Sequence, residues 1–118
     1  MVEIKKREKN GFDTVFLNER FKCAFISHSP LYSYGRVSEM KRHSETDEIF
    51  TLISGIATLL IYEDGKFEET KLCKNEAVNV KKGTWHYLAV SEDALIFVCE
   101  NADTSSENTD VKEVDYII

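Results

Sequence analysis

A chain of 118 residues is long enough for one domain with a real core and too short for two. Its 42% apolar and 11% aromatic content is globular and excludes a disordered chain. With 15 basic against 21 acidic residues, a formal charge of −6 and a pI near 5.1, no nucleic-acid partner is expected, because phosphate binding needs a basic footprint.

No apolar run approaches the roughly 20 residues that span a bilayer, so no membrane association is expected. The lead-in MVEIKKREKNG is charged and lacks a signal-type apolar core. Cys23, Cys73 and Cys99 are odd in number and form no C-x-x-C pair, which reads as free thiols filling apolar positions. A reducing, cytoplasmic location is the expectation.

In chain order, Val15–Leu17 and Phe21–Ile26 read as a hairpin about Asn18–Arg20, and Ser27–Pro30 as a loop. A strand is predicted from Tyr32 to His43, with Glu39, Lys41 and His43 on one face and Met40 and Arg42 on the other. After a turn at Ser44–Asp47, Ile49–Ile53 and Ile56–Tyr62 are strands hinged at Ser54–Gly55. Asp64–Gly65 signals a two-residue turn into Phe67–Leu72. Ala77–Val80 is short and apolar, Lys81–Gly83 turns, and Thr84–Val90 is predicted to pair with Ala94–Glu100 across Ser91–Asp93. Short strands with turn signals every 8–12 residues indicate an all-β sandwich or barrel. One domain over 1–118 is expected, with its core at about 12–100. The tail 101–118 is expected to pack on the barrel or on a partner subunit.

His43 closes one predicted strand, Glu48 opens the next, and His86 stands two strands further on. Two imidazoles and a carboxylate suit a divalent first-row ion such as Zn, Fe, Mn or Ni, although no compact spacing marks them, and ordinary hydrogen-bonded histidines are the competing reading. His28 reads as a surface residue. Tyr32, Tyr34, Tyr87 and Trp85 are either pocket walls or core packing.

Gly35, Lys41, His43, Glu48 and Gly55 follow the spacing G-x5-H-x-H-x(3,4)-E-x6-G, with lysine at the first histidine position. Gly83 and His86 fit a second motif, G-x5-P-x-G-x2-H-x3-N, in which Asn75, Lys81 and Val90 replace glycine, proline and asparagine. Over about Tyr32 to Glu100 the chain resembles the small single-domain cupins. The resemblance implies an antiparallel jelly-roll barrel with an internal pocket, often dimeric, so a homodimer is expected. It places the family's metal ligands at Lys41, His43, Glu48 and His86.

A protonated lysine has no lone pair and cannot ligate an ion. About 4 Å from a divalent cation it is repelled by roughly 8 kcal/mol at an effective dielectric of 20. Lys41 therefore loses its proton, swings aside to leave a site of His43, Glu48 and His86, or takes the ion's place paired with Glu48 or Glu39. The last needs no unusual pKa and is the expected arrangement. The leading functional reading is a barrel that binds a small polar or anionic metabolite among Lys41, His43, Glu48, His86, Tyr34 and Trp85. The alternative is a metal-dependent enzyme, of dioxygenase or isomerase type, using His43, Glu48 and His86.

Overall fold

Apolar side chains recur every second residue along most of the strand segments, and that alternation builds a double layer. The computed structural model describes residues 1–118. Its ten strands are β1 (Phe12–Leu17), β2 (Phe21–Ser27), β3 (Arg36–His43), β4 (Glu48–Ser54), β5 (Ala57–Glu63), β6 (Lys66–Lys71), β7 (Ala77–Val80), β8 (Trp85–Val90), β9 (Leu95–Asn101) and β10 (Thr109–Ile117). They form two five-stranded antiparallel sheets, ordered β1-β2-β9-β4-β7 and β10-β3-β8-β5-β6. The architecture is the all-β jelly roll that the sequence leads one to expect.

The inward rows of the two sheets share one plan. Ala24 and Ile26 of β2, Phe50 and Leu52 of β4, Leu88 and Val90 of β8, and Ile96 and Val98 of β9 join a single buried core. Continued two residues towards one end of the barrel, these rows become Lys22, Glu48, His86 and Glu100. The register keeps them level: Lys22 lies opposite Glu100, Ala24 opposite Val98 and Ile26 opposite Ile96. Hydrophobic burial thus fills one end of the barrel, and the same strands carry polar groups into the other.

Two sequence expectations change, and a third, the packing of the tail on the barrel, becomes more specific. β8 and β9 do not pair: β8 lies between β3 and β5, and β9 between β2 and β4, so Ser91–Asp93 carries the chain from one sheet to the other. The strand expected from Tyr32 begins at Arg36, because Pro30–Tyr32 winds into a short 3-10 turn capped by Ser29. The tail is an integral strand, β10, aligned with β3 from Thr109 opposite His43 to Ile117 opposite Arg36.

Gly55 is indispensable at the β4–β5 corner. Its φ is +78°, and a Cβ there would stand 2.5 Å from Cα of Ala94. The obstacle is backbone that cannot rotate away. Gly55→Ala is expected to cost about 2–4 kcal/mol, from left-handed strain plus steric overlap, and chemical denaturation would read this as a lowered midpoint.

Candidate metal centre and pocket

His43 ends β3, Glu48 begins β4 and His86 sits on β8, so the polar end of the barrel draws on both sheets. His43 Nε2 lies 3.3 Å from Glu48 Oε1 and His86 Nε2 lies 3.0 Å from the same oxygen. All three ligand atoms are within 4.8 Å of one another. An ion held at about 2.0–2.2 Å by each donor spans donor separations of roughly 3 to 4 Å, so the spacing fits one first-row ion.

The outer nitrogens of both rings are fixed as well. His43 Nδ1 is 2.8 Å from the Thr109 hydroxyl, which can donate or accept. His86 Nδ1 is 2.9 Å from the Thr84 carbonyl oxygen, which only accepts. His86 must therefore carry its proton on Nδ1 when neutral, leaving a bare Nε2 lone pair facing a carboxylate oxygen. Two lone pairs at 3.0 Å repel. A cation has to relieve that repulsion, either a second proton on the ring, lying between the two atoms, or a metal ion beside them that both atoms ligate.

The electrostatics agree. Burial pushes the Glu48 carboxyl up, but hydrogen bonds and charge from His43 and His86 outweigh it and bring the pKa down to about 2. Burial pushes the His86 imidazolium down, and the hydrogen bond and charge of Glu48 reverse that and raise it above its ordinary value. Glu100 belongs to the same cluster, with Oε2 3.9 Å from His43 Nε2 and Oε1 3.6 Å from Lys22 Nζ. Burial and then the charge of Glu48 lift its carboxyl to about 7, against the opposing charges of Lys22 and His43. Its Oε2 is buried and has no hydrogen-bond partner. A buried carboxyl oxygen without a hydrogen-bond partner, 3.9 Å from the His43 imidazole, is compatible with a cation at this donor set.

Above the cluster opens a cavity of about 490 Å³, within the range of small-molecule sites. Lys22, Arg36, Glu39, Lys41, Tyr32 and Thr109 are among its lining residues. Lys22 pairs with Glu100 and Arg36 with Asp115, whereas Lys41 has no carboxylate oxygen within 4.0 Å. The expected pairing of Lys41 with Glu48 or Glu39 is not found. Both histidines have taken Glu48, and Lys41 stays exposed on the cavity wall, opposite His86 in register.

Two other expected pocket residues are elsewhere. Trp85, one residue from His86, faces the opposite side of its sheet, where the Arg42 guanidinium lies 4.4 Å from its ring centroid and Met40 packs nearby. Tyr34 is exposed, with its hydroxyl 2.8 Å from that of Thr58. The residues not foreseen are Lys22, Glu100, Thr84 and Thr109. Period two alone points to the first two: Lys22 continues Ala24–Ile26, and Glu100 continues Ile96–Val98.

The fold is that of the cupins. No family model matches the chain, and no curated protein does. Solved structures do. Oxalate decarboxylase from Bacillus subtilis is 17% identical with a TM-score of 0.59, covering 78% of this chain and 24% of that one. KdgF from Halomonas sp. is 16% identical with a TM-score of 0.58, covering 81% of each chain. The sugar 3,4-ketoisomerase QdtA from Thermoanaerobacterium thermosaccharolyticum, in complex with TDP, is 8% identical with a TM-score of 0.62, covering 75% of this chain and 64% of that one. The chain therefore spans about a quarter of the oxalate decarboxylase and under two thirds of QdtA.

Proposed function

We propose that the barrel holds one divalent first-row metal ion, Zn, Fe, Mn or Ni, through His43, Glu48 and His86, and takes a small anionic metabolite above it. The observation that carries this reading is the convergence of one ligand atom each from His43, Glu48 and His86 within 4.8 Å of one another, with the His86 Nδ1 proton committed to Thr84 so that Nε2 is free to ligate. Bound there, a metal ion supplies Lewis acidity towards a substrate oxygen. Thr84 and Thr109 hold the two rings in the ligating orientation, as outer hydrogen-bond partners do in metal sites.

Lys41 supplies the anion preference. It is the basic residue on the cavity wall whose charge no carboxylate neutralises, and its exposure keeps it clear of the ion. The same fold in an oxalate decarboxylase and in a sugar 3,4-ketoisomerase complexed with TDP supports a pocket for small anionic molecules. On this reading the protein is a metal-dependent enzyme of the dioxygenase or isomerase type. A metal-free metabolite-binding barrel is the second reading, favoured by the alternative proton on His86 Nε2. A homodimer is part of the proposal, supported by exposed Val111 and Ile117 on edge strand β10.

The test is a thermal-shift screen of metal-loaded protein against small dicarboxylates and sugar acids, repeated on Lys41→Met. Loss of one charge contact is expected to weaken the best anion about tenfold, equivalent to about 1.4 kcal/mol. Metal affinity should hold or rise, because a repelling charge has been removed. Equal anion affinity in both proteins would remove Lys41 from the account.

A further inference from the structure

The sequence presents three cysteines as unconnected thiols, but the topology brings two of them together. Cys23 on β2 and Cys99 on β9 are direct cross-strand partners. Their Sγ atoms are 2.9 Å apart. Residues directly opposite on antiparallel strands have Cα separations of roughly 4.5–5.5 Å, inside the span of about 4.4–6.8 Å that a disulfide bridges. Closing to a bonded distance of about 2.05 Å asks for less than an ångström of side-chain movement and no change of register. Cys73 is exposed and belongs to neither strand.

We propose that Cys23 and Cys99 are a reversible dithiol pair, oxidised to an intrachain disulfide by exchange with a low-molecular-weight disulfide. The two thiols are not equivalent. Cys23 is buried, and that burial, followed by its contact with Cys99, pushes its pKa up to about 12. Cys99 is half-buried and meets the reagent first. Its thiolate attacks one sulfur of the small disulfide, forming a mixed disulfide and releasing one small thiol. Cys23 then gives up its proton to solvent and attacks the Cys99 sulfur, releasing the second small thiol and closing the bridge. Two protein thiols are oxidised and one small disulfide is reduced to two thiols, so protons and electrons balance.

The position of the bridge gives it a consequence in the pocket. Cys23 follows Lys22 and Cys99 precedes Glu100, and Lys22 and Glu100 are themselves partners in register and in charge. Oxidation therefore fastens β2 to β9 beside the carboxylate that approaches His43. The bridge links positions 76 apart in sequence and constrains the unfolded chain accordingly, raising Tm by roughly 5–15 °C. None of this depends on a metal ion or a metabolite.

The experiment uses the full chain carrying Cys73→Ser, incubated with oxidised glutathione, then unfolded and labelled with a maleimide. Two labelled thiols before treatment and none after, with an intact mass lower by two hydrogens and reversal by dithiothreitol, are expected. Peptide mapping of the oxidised wild type should recover a Cys23–Cys99 crosslink, which keeps the test valid if Cys73→Ser folds poorly. Two thiols still labelled, or a stable glutathione adduct on Cys99 without the crosslink, would overturn the proposal.

Discussion

A Glu48→Gln variant is expected to fold normally and to lose almost all stabilisation by added divalent metal. Wild-type protein at a free metal concentration 100 times its Kd gains about 2.7 kcal/mol, or roughly 10 °C in Tm for a chain of this size. Glutamine is an uncharged and poorer ligand, and an affinity loss of at least ~100-fold follows, given that even outer partners of metal sites are worth ~10–100-fold. At the same metal concentration the variant then gains about 0.4 kcal/mol, or roughly 1–2 °C. The amide also changes the proton inventory. Its N–H can donate to His86 Nε2, so the bare lone pair opposite an acceptor disappears while Thr84 still takes the Nδ1 proton. No buried group is stranded, which makes glutamine a cleaner test than alanine. Thermal melts with and without Zn or Mn check it, and an undiminished metal shift in Glu48→Gln would place the ion elsewhere.

The second large effect is on pH. Glu48 has a folded pKa of about 2 against an ordinary 4.5, so its contribution is present above about pH 4.5 and lost as pH falls towards 2. His86 is raised above 6.5, so its contribution is complete below that value and is lost as pH rises through its folded pKa. Glu100 is raised from 4.5 to about 7, so its enforced ionisation destabilises the fold progressively as pH climbs across that interval. All three leave metal-free protein most stable in mildly acidic solution, with decline on both sides. On the proposed metal reading, added metal should reverse the alkaline limb, with the ion displacing the proton shared by His86 and Glu48. Apparent affinity should rise up to tenfold per pH unit while one proton is displaced. Melts from pH 4 to 9, in chelator and in metal, would show the two curves diverging above neutrality. A metal-free Tm that stays flat between pH 6 and 8 would contradict this account.

Much of this site was legible in the sequence for a physical reason. His43 and Glu48 flank one turn, and His86 follows another, so strand-end positions and spacing bring them forward. Glu100 and Lys22 were harder, because a lone carboxylate at a strand end looks like a solvated residue until its partners across two sheets are known. Trp85 shows the opposite error: its aromatic character suits a pocket wall, but His86 takes the inward face and Trp85, its neighbour along the strand, packs on the other side of the sheet. A three-residue connection likewise does not distinguish a hairpin from a corner between sheets, and β8 and β9 were paired on that ambiguity. The Lys41 arrangement was a matter of competition. Two imidazoles already hold Glu48, leaving the ammonium at the cavity wall.

The most direct measurement is elemental analysis of untagged protein purified without chelator and, separately, after incubation with excess Zn, Mn, Fe(II) and Ni. About one divalent ion per chain, lost on His86→Ala, is the result predicted by a centre of two imidazoles and one carboxylate. No ion retained, even from excess, would contradict it. The cation between His86 and Glu48 would then be a proton, and the metal-free barrel would be the correct reading.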